Sequence, residues 1–479
     1  MAQDELCKKQ WSSMQPSDKN LNSNGNGTDK DHSTTRSLLI HRHKVPPKVT
    51  EYLTSDDGLL TNQSGLCPVH VLVDGKIEDS AGDIQIDFAN KRIGGGVFSR
   101  GCVQEVVCVS NNIIQICICT LSFFFFLIEI RFVINPECLV SLLLCEEMRH
   151  NEIIAIVGTK QYSQYQGYGN TFEYLTHHDD QTTSQIVNKD LNCVRTCNCI
   201  VAIDAERYHA RNEHEQFSLS KLRRDLIKCY AGFSVPATIS HFWFVNNEIT
   251  SLHSDSKYDE DADFINIATG NWGCGVFRGN VELKFVIQWL AASLCGCEEI
   301  KNIICSDKDK DNPQKERRRA LKYYTFADSK CKYIESFVKL CIKNELKIHD
   351  LWKHVFSYCE WYRQNLSSVI AKKDNAPEKD EEIWIKTAKG WEASLFRFVA
   401  KHYEKGLEEL TPHPSLVEEF EWKIDEGSGF FSDSVEPDQQ CLPEPQKCSS
   451  MHLGIVSIKE DGELEQENHN SNGSDNPSG

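Results

Sequence analysis

No run of apolar residues in this sequence is long enough to cross a bilayer. The most apolar stretch, Ile113 to Ile128, covers about 16 residues against the ~20 that a spanning helix needs. Glu129 and Arg131 follow at once, so no membrane attachment is expected. No secretory leader is expected either. The chain opens Met1-Ala2-Gln3-Asp4-Glu5, polar and acidic where a leader would be basic and then apolar. The 21 cysteines are therefore read as reduced thiols of the nucleus or cytoplasm. Cys193, Cys197 and Cys199 lie close together, as do Cys295 and Cys297, but neither group has the paired two-residue gaps of a zinc ribbon. No structural metal and no cofactor are expected. Net positive charge is absent too. A formal charge of −18 excludes broad electrostatic attraction to nucleic acid. It leaves room for a polyanion held at one focused site by main-chain N–H groups.

With 40% hydrophobic and 10% aromatic residues in 479, the chain can bury a sizeable core. Val69 to Val73 and Ile84 to Phe88 read as short strands. Ile153 to Val157 and Ile200 to Ile203 are continuous apolar runs suited to a sheet covered on both faces. Asn135-Pro136-Glu137 reads as a helix start, after which Leu139, Leu142 and Leu143 face inward. A second helix opens near Ser218 or Ser220 and carries Leu222, Leu226 and Tyr230 on one face. Leu283, Val286, Ile287 and Leu290 have the spacing of a packed helix. Tyr323 to Phe326 reads as a further strand, and Ile334 to Leu340 and Leu351 to Trp361 as closing helices. Strands alternating with helices predict an α/β fold with a mixed central sheet. Residues 1–48 are expected to be a disordered segment, and residues 49–368 a folded domain interrupted at 106–128, 236–262 and 300–319. Residues 369–479 are expected to be a polar tail with one possible helix, Ile383 to Tyr403.

Three stretches carry chemistry. Gly94-Gly95-Gly96 follows the alternating segment Ile84 to Asn90, and Gln104-Glu105 lies a short spacer beyond. A strand running into consecutive glycines lets N–H groups approach an anion closely, with a carboxylate beside it for acid/base work. Ala268 to Phe277, with its Gly270-Asn271-Trp272-Gly273-Cys274-Gly275 core, is a second glycine loop. Gln161 to Tyr168 alternates glutamine with tyrosine. Taken together, these resemble poly(ADP-ribose) glycohydrolase over roughly Ile77 to Tyr362. The family pattern has Gln-Glu-Glu, whereas here Glu105 is followed by Val106. Removing Val106 to Ile128 restores Gln-Glu-Glu-Ile-Arg-Phe, because Glu129-Ile130-Arg131-Phe132 resumes the motif. The intervening stretch reads as translated intron sequence: a valine codon begins like an intron, and a run of phenylalanine codons like its pyrimidine tract.

The resemblance implies a macrodomain-like three-layer fold and hydrolysis of ribose–ribose bonds in poly(ADP-ribose). This would release ADP-ribose and reverse the modification in DNA-damage and stress responses. Members usually carry a helical region ahead of this domain, and here only the short segment expected to be disordered precedes it. The implied partner is the polymer on modified proteins, met by a monomer without direct nucleic-acid or membrane contact. Residue by residue, Glu129 would be the general acid, Glu105 would hold ribose hydroxyls and Asp87 would support the site. Asn90 would contact ribose, Gly94, Gly95 and Gly96 would form the first loop, and Gln104 would hydrogen-bond the ligand. Asn271, Trp272, Gly273, Cys274, Gly275 and Val276 would wrap the diphosphate, with Phe277 behind. Tyr168 and Phe326 match aromatics enclosing the adenine end, Tyr165 counts with them as a binding residue, and Ile77-Glu78 match the pair that reads its edge. Arg278 stands where relatives generally have glycine. Because the Glu pair is split, two other readings stay open: a module that binds ADP-ribose without cutting the polymer, and a product without function.

Overall fold

In the central strands, successive side chains enter two different cores. Leu39, Ile84, Ile86, Ile153, Ala155, Val157, Val201 and Ile203 belong to one buried cluster. Their neighbours Leu38, Ile40, Ile154, Ile156, Ile200 and Ala202 belong to a second. A period of two with both phases apolar requires a sheet covered on both faces, hence three layers. The computed structural model describes residues 36–94, 130–167, 172–178, 185–188, 193–196, 199–209, 212–235, 243–245, 248–250, 266–304, 319–373, 393–417, 453–458 and 464–466.

The strands are β1 Arg36–Lys44, β2 Val69–Leu72, β3 Ile84–Ala89, β4 Glu152–Val157, β5 Ser163–Gln166, β6 Glu173–His177, β7 Gln185–Asn188 and β8 Cys193–Thr196. They continue as β9 Cys199–Asp204, β10 Trp243–Val245, β11 Glu248–Thr250, β12 Ile267–Gly270, β13 Leu321–Tyr324, β14 Leu453–Ile458 and β15 Leu464–Gln466. Nine form the central sheet in the order β15-β14-β1-β4-β9-β3-β12-β13-β2. The run β9-β3-β12-β13-β2 is parallel, whereas β4, β1, β14 and β15 pair antiparallel. Five parallel strands therefore release their following loops along one edge, which is where open α/β sheets bind ligands.

The helices Leu219–Phe233 and Val281–Leu294 cover one face. Ser218 precedes the first and Asn280 caps the second, accepting from the Leu283 N–H at 2.9 Å. The segment from Ile130 to Leu144 covers part of the other face. Leu143, expected inside, is 85% exposed. The chain enters this region through the 3₁₀ turn Pro136–Leu139, whose tighter winding shifts the helical face carried by the later residues.

Several boundaries differ from expectation. Residues 36–44, expected to be disordered, form β1, which lies inside the sheet between β4 and β14. Leu38, Leu39 and Ile40 are buried there, so two-sided apolar alternation outweighs the polar composition around them. The helices Pro47–Thr54 and Asp56–Leu60 follow. Strands β10 and β11 lie within the expected 236–262 loop, and helix Glu298–Ile304 overlaps the start of the 300–319 loop. Helix Ile348–Lys373 crosses the expected boundary at 368. Beyond it, residues 393–417 pack on the core rather than trailing as a tail. Phe396 stacks on Phe337 at 4.1 Å between ring centroids. Among the described residues no helix is long and apolar enough to cross a membrane, and Cys67, Cys229, Cys295, Cys297 and Cys331 are free thiols.

This docking places a carboxyl in an unusual setting. Glu282, in the first turn of Val281–Leu294, accepts from the Ser394 hydroxyl at 2.9 and 3.0 Å and from the Phe396 N–H at 3.3 Å. Desolvation outweighs these hydrogen bonds and pushes its carboxyl up to about 7. The folded chain then binds a proton that the unfolded chain releases near pH 4.5, so this contribution is present at low pH and fades as pH rises toward 7. His43 and His354, held near 4 mainly by burial, act in the opposite sense below pH 6.5. A comparison with Glu282→Gln therefore isolates the carboxyl. The variant should match wild type near pH 5 and exceed it by on the order of 2 kcal/mol at pH 8 in urea unfolding. An identical pH dependence in the two proteins would refute this.

Candidate functional site

The loop after β12 is fixed by its own side chains. Asn271 donates to the Thr325 carbonyl at 3.1 Å and accepts from the Tyr323 hydroxyl at 2.9 Å. Trp272 is fully buried, and its Nε1 donates to the Ile203 carbonyl at 3.2 Å. Cys274 is also buried, with its thiol pushed up to about 12 by desolvation. These side chains point away from solvent, leaving the backbone to face it. The Gly279 N–H donates to the Gly273 carbonyl at 2.8 Å, and the Tyr208 N–H to the Phe277 carbonyl at 3.0 Å. Among the described residues, the N–H groups of Gly273, Gly275, Val276 and Phe277 have no protein acceptor. Gly275 and Val276 are exposed. Exposed backbone N–H groups without a protein acceptor are suited to cradling an anion. Gly273 is required there: its φ is +70°, and a Cβ would lie 2.7 Å from that of Ala205. Arg278 adopts φ +57°, a conformation that favours glycine, and its guanidinium pairs with Glu213 at 3.0 Å.

Beside this loop the ends of β13 and β2 bring aromatics together. Phe326, just past β13, is 43% exposed and stacks on Tyr324, with ring centroids 6.4 Å apart. A Cβ on Gly270 would lie 2.6 Å from the Phe326 ring, so the ring presses on the backbone that opens the anion cradle. Tyr324 in turn bonds Ser80 at 2.8 Å between hydroxyls. Ile77 is buried with Ala268 and Tyr324. Its neighbour Glu78 accepts from the Tyr165 hydroxyl at 2.7 Å. Tyr165 is gripped on three sides: Lys76 Nζ lies 3.6 Å above its ring and also donates to its carbonyl, and Phe172 stacks at 5.4 Å. Burial, then the Glu78 carboxylate, raises the phenol so that it stays protonated as a donor. Ile77, Glu78, Tyr165 and Phe326 are thus one contiguous wall joined to the Asn271–Phe277 loop.

The third part surrounds β3. Asp87 is 3% exposed, and its strand position pairs with Ala202 of β9. Asn90 and Gly94 follow, with Gly94 at φ +73° close against Leu142. Gly95, Gly96, Gln104, Glu105, Glu129 and Tyr168, together with Val106 to Ile128, lie outside the described residues. Arg131 begins to show how the chain returns. It is buried in the helix Ile130–Ile134 and donates to Gln85 of β3. Gln85 donates onward to the Ser80 carbonyl at 3.1 Å and the Glu78 carbonyl at 3.3 Å. The helix immediately after Glu129 is therefore tied to the turn that carries Glu78. Sequence reasoning missed Gln85, Arg131, Lys76, Ser80 and Tyr324. The available signal was Gln85 and Asp87 as polar residues in an otherwise apolar strand. Among the described residues, no group of three or more His, Cys, Asp or Glu side chains could hold a metal ion.

The cradle geometry makes Gly273→Ala a direct test. Strain at positive φ and the close approach to Ala205 should together cost about 1–3 kcal/mol of stability. An unchanged melting temperature would contradict the described loop.

The chain matches the family described as poly(ADP-ribose) glycohydrolase (PARG), Macro domain fold, over residues 58–123 and 127–333. It is 29% identical over 339 residues to a probable poly(ADP-ribose) glycohydrolase 2 of Arabidopsis thaliana, covering 67% of this chain and 53% of the relative. It is also 29% identical over 329 residues to poly(ADP-ribose) glycohydrolase 1 of that plant, covering 61% and 52%. With poly(ADP-ribose) glycohydrolase 1 of Caenorhabditis elegans it is 32% identical over 225 residues, covering 46% and 22%. The chain spans about half the length of the plant relatives it matches. The two matched segments include β2, β3, β9, β12 and β13 and every described wall of the site, and cover more than half of the chain: it belongs to the poly(ADP-ribose) glycohydrolase family, with its Macro domain fold.

Proposed function

We propose that this chain hydrolyses the ribose–ribose glycosidic bonds of poly(ADP-ribose) and releases ADP-ribose. One observation carries the reading: an amide-lined anion cradle joins directly to an aromatic and carboxylate wall at the same edge of the sheet. A nucleotide sugar asks for that combination. In this reading the diphosphate lies on the N–H groups of Gly273 to Phe277, and Phe326 stacks on adenine. The Glu78 carboxylate, oriented by the Tyr165 hydroxyl, accepts from the adenine amino group, with Ile77 beside it.

Cleavage of such a bond passes through an oxocarbenium-like transition state and needs an acid for the leaving oxygen, then a base for water. Glu129 is assigned both roles in turn. Glu105 holds the ribose hydroxyls, and Gln104, Asn90 and the Gly94–Gly96 turn complete the sugar end. Asp87 supports them from the buried strand. The Arg131–Gln85 bond ties the helix that follows Glu129 in sequence to β3. Val106 to Ile128 separates the two glutamates in sequence and is proposed to be extraneous to the chemistry. Free thiols fit the reducing nucleus and cytoplasm, the proposed compartments.

Hydrolysis of purified polymer, paired with calorimetric titration of ADP-ribose, tests this function. Wild type should bind ADP-ribose and release it from polymer. Glu129→Gln should lower turnover by about 10²–10⁴-fold, the usual range for a lost acid, while ADP-ribose affinity changes only a few-fold. Deleting Val106 to Ile128 should raise turnover. Binding without any turnover, in both wild type and the deletion variant, would favour a polymer-recognition module. Absence of binding would defeat the proposal.

A further inference from the structure

A cluster of buried charges lies behind the anion cradle, and the proposed chemistry does not use it. Lys284, on helix Val281–Leu294, has a fully enclosed side chain and meets Asp225 at 2.5 Å. Asp225 pairs with Arg224 at 3.0 Å, and Arg224 reaches on to Asp204. Asp204 in turn meets Lys228 at 2.6 Å, whose side chain is also fully enclosed. Lys228 further donates to the carbonyls of Arg149 and Glu152, both at 2.6 Å. Burial pulls its ammonium down to about 8, which leaves it protonated at pH 7. Three cations thus face two carboxylates, and the cluster carries one net positive charge. At its margin Lys221 pairs with Glu206, and Arg42 pairs with Glu152 and reaches the exposed Glu146 at 4.0 Å.

Such an arrangement is a poor device for stability alone. Burying ions is costly, and apolar residues of similar volume often hold two helices as well or better. Its position suggests another use. Lys284 Nζ lies 4.3 Å from the centroid of the Trp272 ring. A Cβ on Gly273 would lie 3.8 Å from the same Nζ, and one on Gly279 only 3.0 Å from Lys284 Cε. The end of the Lys284 side chain therefore lies directly behind the two glycines whose hydrogen bond closes the cradle.

We propose that Lys284 is a positioning residue for the anion, backed by the Asp225–Arg224–Asp204–Lys228 chain. It props the cradle from inside and adds the field of a net positive charge to the outward N–H groups. This deepens the diphosphate reading given above and depends on it for the identity of the ligand. In the protein interior a charge acts over several ångströms with little screening by salt, so the effect belongs to the charged part of the ligand alone.

Calorimetric titration of the full chain with inorganic pyrophosphate, ADP-ribose and adenosine separates the possibilities. Lys284→Met should weaken pyrophosphate and ADP-ribose about tenfold and leave adenosine within about twofold; Lys284→Arg should recover most of the loss. A folded Lys284→Met that binds pyrophosphate like wild type would overturn the proposal, as would an equal loss for adenosine, the mark of a merely structural role. Should Lys284→Met fail to fold, wild type decides. Its pyrophosphate affinity should fall by less than about threefold between 50 and 200 mM NaCl, and a tenfold or larger fall would assign the binding to exposed cations instead. Wild type that ignores pyrophosphate also overturns the proposal. Binding of pyrophosphate without ADP-ribose would count against the functional reading only.

Discussion

A loop that offers its own N–H groups to an anion must have its side chains restrained elsewhere, or the donors will not hold their geometry. The turn from Gly270 to Asn280 meets this constraint at Asn271, Trp272, the two closing glycines and Asn280. The Asn271 amide is bound between Tyr323 and Thr325, and Trp272 runs under the sheet edge to Ile203. Lys284 fills the space beneath Gly273 and Gly279. The Asn280 backbone N–H is received by Gln216 at 2.6 Å, and its side chain caps the following helix. Donors held this way need little reorganisation when charge arrives, which is where electrostatic stabilisation by proteins is most effective.

The same economy organises the neighbouring wall. Gln85 is buried near the start of the parallel strand β3, where a polar side chain must find partners or be penalised. It finds Arg131 on one side and the Glu78 and Ser80 carbonyls on the other. The segment after Glu129 and the turn that carries Glu78 are thereby referred to a single strand. The overall acidity of −18 does not oppose an anionic ligand under these conditions. Lys76, Arg131 and Lys284 are gathered around the site, and buried or partly buried charges act on their immediate surroundings with little screening.

Much of this arrangement was legible in the sequence. Ile84–Ala89 announced itself by its alternation, Glu152–Val157 and Cys199–Asp204 as apolar runs of strand length, and the helices after Ser218 and Asn280 by their spacing. The wall and its loop were legible through motifs, since Ile77-Glu78 and the Asn271–Phe277 stretch resemble a family pattern in linear order. Long-range pairing was not. β1 is a short apolar triplet between polar and histidine residues, and only its antiparallel partners β4 and β14 give it a place. Residues 393–417 look polar because a few apolar side chains, Phe396 among them, do the packing. The buried ion chain was equally hidden: Arg224, Asp225 and Lys228 are charged residues of one helix, and only their partners Asp204 and Lys284, distant in sequence, show that they are enclosed. Leu143 erred in the other direction, because a tight first turn rotated it into solvent.

The central claim is that backbone amides after β12 receive the phosphates. The most direct measurement is the amide resonance shift, on adding ADP-ribose, in isotopically labelled protein. The account predicts the largest shifts at Gly273, Gly275, Val276 and Phe277, reproduced by inorganic pyrophosphate. Saturable ADP-ribose binding that leaves these four resonances unmoved would contradict it.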